Sequence, residues 1–279
     1  MDIVLNKYQL LGEIGNGSFS KIYKAKDIYT SKECAIKIEK KSKNLQTNEI
    51  VFIIREAHIH NRLHDVEQIP RLLWFGHDTQ FYYMVLPLLS GTFRNLLFDL
   101  EIPSNRESWI RVGQHMLHSI RALHNHGYIH RDIKPDNFMF DDKGKVYLID
   151  LGMCKNYLRN GQHIAPKIRT PASGIIGTAN YISVHVHQMK EPSRRDDVES
   201  VCYVLWKICG GLDWGNDSTD RLETILDKKL ALLQDPRIPP ELLCLLQKTR
   251  SLDYYDEPCY DLTGGGHVLA NPPHTPSIL

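Results

Sequence analysis

Residues 8–40 alternate apolar and polar side chains in three short runs, broken by glycines and by a charged turn over 27–32. A period of two marks strands with one buried face, so this stretch predicts the first strands of an antiparallel sheet. Over 48–64 the period changes. Ile50, Ile53, Ile54, Ala57 and Leu63 recur at helical spacing and predict an amphipathic helix. Phe81-Tyr82-Tyr83-Met84-Val85-Leu86 reads as a buried strand, and Pro87-Leu88-Leu89-Ser90-Gly91 after it as a hinge. From Ser104 the chain turns helical: Ser104-Asn105-Arg106-Glu107 has the form of a capping box, Ile110, Leu117, Ile120 and Leu123 make the buried stripe, and Gly127 ends it. Phe138-Met139-Phe140 and Val146-Tyr147-Leu148-Ile149 flank the polar turn Asp141-Asp142-Lys143-Gly144, the pattern of a β-hairpin. Ser193-Arg194-Arg195-Asp196 opens a second long helix through Val201, Val204, Leu205 and Ile208 to Gly210-Gly211. Shorter helical segments follow at 221–233 and 240–250. After Tyr260 the pattern stops, and Gly264-Gly265-Gly266, Pro272-Pro273 and Pro276 read as a flexible tail.

Composition narrows the picture a little. The 279 residues suffice for one large domain or two modest lobes with a sizeable core. Hydrophobic residues make up 42% and charged residues 24%, as in globular proteins. A net charge of +1 gives no reason to invoke nucleic acid or a membrane surface. No apolar run approaches a bilayer-spanning length, and the first residues do not have the form of a signal peptide. Six cysteines without a C-x-x-C pair fit reduced thiols in a cytosolic or nuclear setting. Fourteen histidines invite a metal reading, at His58 and His60 or at His124, His126 and His130. No cysteine pair or carboxylate cluster accompanies them, so a zinc site is not expected.

The chemistry concentrates in His130-Arg131-Asp132-Ile133-Lys134-Pro135-Asp136-Asn137 and in Asp150-Leu151-Gly152. The hairpin between them would bring Asn137 and Asp150 side by side. An amide oxygen and a carboxylate so placed can hold Mg²⁺, a hard cation that prefers oxygen ligands and substrate phosphates. Asp132 would stand nearby, free to orient a hydroxyl. Upstream, Gly15-Asn16-Gly17-Ser18-Phe19-Ser20-Lys21-Ile22 lies between two predicted strands. Glycines there let backbone N–H groups approach phosphate oxygens, with Phe19 capping the tip. Lys37, in Ala35-Ile36-Lys37-Ile38, would project from the third strand toward the α- and β-phosphates. Glu56 lies on the following helix within reach of Lys37, with Glu49 as runner-up. At the hinge, adenine needs a backbone acceptor and a backbone donor; the Pro87 carbonyl and the Leu89 N–H can supply them, with Leu86 behind the ring.

This motif order resembles the eukaryotic protein kinases, with Leu151 where the family usually has Phe. Three segments are similar to the casein kinase 1 family: Ile175-Ile176-Gly177-Thr178-Ala179-Asn180-Tyr181-Ile182-Ser183, Ser193-Arg194-Arg195-Asp196-Asp197-Val198-Glu199-Ser200, and Arg250-Ser251-Leu252 with Pro258 and Tyr260. As in that family, no Ala-Pro-Glu motif is present; Ile182-Ser183-Val184-His185 stands in its place. The resemblance implies an α+β bilobal fold, with a β-rich lobe over 1–86, a hinge at 87–91, a helical lobe over 92–261 and a tail from 262 to 279. It also implies Ser/Thr kinase activity with ATP and Mg²⁺. The nucleotide would be bound by Ile14, Gly15, Asn16, Gly17, Ser18, Phe19, Ser20, Lys21, Ile22, Ala35, Lys37, Glu56, Leu86, Pro87, Leu89 and Asp150. Lys134 would contact the γ-phosphate, Asp132 would accept or orient the substrate hydroxyl, and Asn137 with Asp150 would bind metal. Asp197 would start the central helix and tether the catalytic-loop backbone.

Further expectations rest on the same resemblance. Asn180 replaces an arginine that the family uses to bind anions, so a preference for acidic or primed substrates should be weaker, with Lys167 and Arg169 able to swing toward the vacancy. Thr170, Ser173 and Thr178 are read as loop polarity, with no phosphorylation needed for activity. The family continues into apolar helices that this chain lacks, so a partner or self-association is expected over the large lobe. A kinase-fold binding module would usually lack Lys37, Asp132 or Asp150, and all are present. A small-molecule phosphotransferase shares the Asp132, Asn137 and Asp150 core but lacks a peptide platform, which residues 178–183 resemble.

Overall fold

The computed structural model describes residues 3–17, 20–41, 52–94, 106–214 and 221–263. Its small lobe is built on strands β1 (Ile3–Val4), β2 (Tyr8–Asn16), β3 (Ser20–Asp27), β4 (Glu33–Lys40), β5 (Trp74–His77) and β6 (Phe81–Pro87). They form one antiparallel sheet in the order β1-β2-β3-β4-β6-β5. Side chains alternate across such a sheet. Tyr8, Ala25, Cys34, Ile36, Tyr83 and Val85 therefore pack together on one face. Met84 points to the other, where it meets Ile53 and Ala57 of helix α1 (Phe52–Arg62). Burying side chains of this size stabilises by about 1.5–3 kcal/mol each. The same alternation decides the fate of Lys37. Next to Ile36 and directly opposite Met84 in register, it projects toward α1.

The α1 helix buries most of its expected stripe, Ile53 and Ala57 with Leu63 just beyond its end, but not Ile54. Ile53, Glu56, Ala57, Ile59 and His60 are buried, whereas Ile54 is 40% exposed. The cause is the polar pair Glu56 and His60, which find partners inside and rotate Ile54 outward. Ile50 and Glu49 lie outside the described residues.

The large lobe is helical: α2 (Arg106–Asn125), α3 (Val184–His187), α4 (Arg194–Ile208), α5 (Leu222–Ala231) and α6 (Pro240–Arg250). Every residue of α4 from Arg195 to Trp206 is buried, the mark of a helix surrounded by others. The α2 stripe packs against it: Leu117, Ile120 and Leu123 are fully buried, and Ile110 borders the core. The α2 capping box falls partly outside the described residues, at Ser104 and Asn105. Strand β7 (Gly91–Thr92) pairs with β9 (Phe138–Phe140), which forms the expected hairpin with β10 (Val146–Leu148). One boundary shifts. Leu262, expected in the tail, is only 2% exposed and packs where Gly113 of α2 leaves room; a Cβ on Gly113 would collide with Leu262 and Leu205. Residues 264–279 lie outside the described residues. No helix among the described residues is long and apolar enough to cross a membrane.

Candidate active site

The loop after strand β8 (Tyr128–Ile129) is held from below by the first turn of α4. Asp197 accepts the His130 N–H at 2.6 Å on Oδ2 and the Arg131 N–H at 2.8 Å on Oδ1. Oδ2 also accepts from His124 Nε2 at 2.9 Å. Burial alone would raise the Asp197 pKa; the bonds from His124 and the His130 backbone outweigh it and hold the carboxylate below its ordinary range. His124 in turn contacts the Tyr260 hydroxyl at 2.7 Å, so a chain of polar contacts runs from Tyr260 through Asp197 to the loop after β8. The His130 ring has one tautomer consistent with its partners. Nδ1 accepts the Asp132 N–H at 3.3 Å, which leaves Nε2–H to donate to the Ile149 carbonyl at 3.0 Å. Arg131 and Asp150 both adopt left-handed backbone, at φ 72° and 59°. Strain of this kind persists only where surrounding contacts over-determine it.

Asp132 is 9% exposed. Its Oδ2 pairs with Lys134 Nζ at 2.7 Å, and its Oδ1 accepts the Thr178 hydroxyl at 2.7 Å. Asn137 donates its Nδ2 to the Asp132 carbonyl at 2.8 Å. The Ile149 N–H bonds the Asn137 carbonyl at 2.9 Å. The hairpin register, Leu148 opposite Phe138, thus brings Asn137 next to Asp150. Across the cleft, Lys37 Nζ lies 2.7 Å from Glu56 Oε2 and 3.2 Å from Asp150 Oδ1. Burial alone would favour the neutral amine, but the Glu56 and Asp150 charges outweigh it and hold Lys37 protonated, above its ordinary range. Burial likewise pushes Asp150 up, and the positive charge of Lys37 more than offsets it.

The remaining residues expected to bind nucleotide lie on β2, the β2–β3 turn, β3, β4 and the end of β6 with the segment after it. Gly15 and Asn16 face Ile22 and Lys21 across the β2–β3 pair, closed by the Gly17 N–H to the Ser20 carbonyl at 2.8 Å. Ser18 and Phe19 lie outside the described residues. Lys21 is drawn aside: its ammonium pairs with Glu13 at 2.9 Å, so its side chain is spent on a neighbour. Ile14 is 53% exposed, an apolar surface on the glycine-rich strand. Ala35 is paired with Leu86, and Leu86 packs beside Met84, Ile53 and Ala57. Pro87 closes β6 opposite Cys34. Leu89 is half-buried, and the next N–H, of Ser90, is taken by the Phe140 carbonyl at 2.8 Å.

The protein kinase domain family matches residues 8–261. The chain belongs to the protein kinase family. A probable casein kinase I homolog from Encephalitozoon cuniculi is 38% identical over 199 residues, 71% of this chain. The chain spans 61% of the length of that relative. This similarity supports a place in the casein kinase 1 branch.

In the segment before Asn180, one expectation is not met. Arg169 does not swing toward Asn180. Its side chain is 9% exposed, donates to the Gly174 carbonyl at 2.6 Å, and lies 3.8 Å from Glu191, which also pairs with Lys155. A buried carboxylate needs cations of its own, and Glu191 takes two. Arg194 donates to the carbonyls of Tyr255 and Asp256, and Arg195 to that of Leu252, although Arg195 also lies 3.7 Å from Asp196.

Sequence reasoning missed His124 and Lys229. Lys229 shares a helix face with the buried Ile225 and precedes the buried Leu232. A lysine on an apolar stripe was the available signal.

Proposed function

We propose that this kinase transfers the γ-phosphate of ATP to serine or threonine in acidic or primed proteins. The observation that carries the reading is the ion-pair cluster of Lys37 with Glu56 and Asp150, facing an Asp132 bonded to Thr178. Lys37, kept charged by two carboxylates, would bind the α- and β-phosphates. Lys134, already 2.7 Å from Asp132, would meet the γ-phosphate. Asp132 would accept the hydroxyl hydrogen bond and orient the nucleophile. Backbone groups of Pro87 and Leu89 would receive adenine beneath Ile14 and Ala35.

The donor set suits Mg²⁺. Asn137 commits its Nδ2 to the Asp132 carbonyl, which leaves its amide oxygen, and Asp150 adds a carboxylate held ionised. Both are the oxygen ligands that magnesium prefers. Bound there, magnesium would neutralise phosphate charge. Thr170 and Ser173 are engaged in a capping box around a short turn, and Thr178 is bonded to Asp132, which supports activity without phosphorylation of this segment. All six cysteines are free, in keeping with a reducing cytosolic or nuclear setting.

Phosphate transfer from labelled ATP to casein, against a panel of sugars and aminoglycosides, tests this reading. Label on casein serine or threonine is expected. ATP binding without transfer would make the chain a binding module, and label on the small molecules would make it a different phosphotransferase. Primed peptides should be preferred only shallowly, because Arg169 is committed to Glu191 and Asn180 brings no charge. Asn180→Arg should raise the primed-to-unprimed ratio of kcat/KM about 10-fold, as a charge-assisted bond is worth about 1.5–3 kcal/mol. Equal ratios in both proteins would remove anion reading from this surface.

A further inference from the structure

Residues 178–183 adjoin the catalytic carboxylate through the bond of Thr178 to Asp132. Their backbone is curled, with the Tyr181 and Ile182 N–H groups both donating to the Thr178 carbonyl. Gly177 before them, at φ 97°, sits so close to the Arg131 carbonyl that a Cβ would be 2.6 Å from it. Ser183, the last of them, caps α3 and bonds Asp196. The two ends are thus anchored to the catalytic loop and to α4.

The middle is anchored from beneath. Lys229 Nζ donates to the Ala179 carbonyl at 2.9 Å and to the Ile182 carbonyl at 2.7 Å. Between them, the Asn180 carbonyl accepts Trp214 Nε1–H at 3.0 Å. A third Lys229 contact goes to His187 Nε2 at 3.2 Å. Burial lowers the Lys229 pKa to about 7; in its charged form the ammonium has three donors, matched by the two carbonyls and by His187 Nε2 in the tautomer that accepts there. Its charge rests over the rings of Tyr203, 4.5 Å to the centroid, and Trp214, 5.9 Å. No carboxylate is among its bonded partners; nearby Glu199 is engaged by Arg250 at 3.0 Å. Lys229 is 0% exposed. Burying a lysine without a bonded counter-ion is unfavourable, and a leucine or methionine on this helix face would pack without that cost. What the lysine adds is the pair of carbonyls it holds at fixed separation.

We propose that Lys229 is a positioning residue for the peptide substrate, fixing the 178–183 backbone as a rigid platform beside Asp132. The proposal rests on the protein-kinase reading above and deepens it. Lys229 touches neither nucleotide-side residues nor the reacting atoms, so its effect should fall on peptide binding. A shift of about an ångström in such a surface costs as much as 10²-fold in rate.

Steady-state kinetics with an acidic serine peptide test this on the whole chain. Lys229→Met keeps the length and removes the donors; it should raise the KM for peptide about tenfold while the KM for ATP moves less than about twofold. Lys229→Arg, which keeps charge and donors, should recover much of that loss. Trp214→Phe keeps a ring and removes one anchor, and should raise the peptide KM about threefold. Hydrogen exchange at residues 178–183 should quicken in Lys229→Met. Unchanged peptide KM in folded Lys229→Met overturns the proposal, as does an equal rise in both KM values. Should that variant fail to fold, Trp214→Phe decides: an unchanged peptide KM there overturns it. If the wild type phosphorylates no peptide, the kinase reading fails. Exchange at 178–183 then judges the anchoring alone, and unaltered exchange in Lys229→Met refutes it.

Discussion

Asp132 and Asp150 carry the same functional group among different neighbours, which suits them to the different roles proposed above. Asp132 spends one oxygen on Lys134 and the other on Thr178, which together fix its orientation. Asp150 is 40% exposed and answers to Lys37. Asparagine at either position preserves shape and removes charge. Asp132→Asn and Asp150→Asn should each lower kcat by roughly 10² or more, with thermal transitions close to wild type. Wild-type turnover in a folded variant would withdraw the role from that residue. Lys37, Asp132, Asn137 and Asp150 were legible in the chain because their partners are set by motif spacing and strand alternation. Arg169 was not, because its partner Glu191 is a matter of packing.

At the scale of elements, the N-terminus of α4 matters most, since it carries Asp197. Ser193 and Asp196 form a reciprocal cap: Asp196 accepts the Ser193 N–H at 2.7 Å and its hydroxyl at 3.2 Å. Both are buried. Ser193→Ala should destabilise by about 1–2 kcal/mol, the upper range for a helix cap, as measured by urea unfolding. An unchanged midpoint with unchanged slope would show that the cap contributes nothing. The capping pattern was visible in sequence. That Asp196 also accepts from Ser183, and so ties the cap to residues 178–183, was not.

Over the whole molecule, stability should fall on acidification. Burial pushes His60, His185 and His187 each down to about 4 from an ordinary 6.5. Between pH 4 and 6.5 the folded protein then binds fewer protons than the unfolded chain, so stability rises with pH across that window and is lost as pH falls through it. Asp196, raised to about 6 by burial, acts in the opposite sense and offsets part of the loss. His60 is the cleanest probe, being 1% exposed and, among the described residues, bonded to the Pro70 carbonyl alone, at 2.9 Å. His60→Gln should remove about 3 kcal/mol of the acid-dependent loss, the worth of its depressed titration. Equal loss of stability between pH 6.5 and 4 in both proteins would show that His60 is not a source of it.

The sequence by itself determined the strand alternation that aims Lys37, the hairpin that joins Asn137 to Asp150, and the capped helix that delivers Asp197. Each follows from residues close in the chain, whose spacing and backbone preference leave one arrangement. Only the tertiary structure decided that Glu191 would claim Arg169, that Ile54 would face outward while Glu56 turned in, that Leu262 would enter the core beside Gly113, and that Lys229 would reach the carbonyls of Ala179 and Ile182. Long charged side chains accept many partners. Which partner each takes depends on which groups burial leaves unsatisfied, and that is set by packing between segments far apart in the chain.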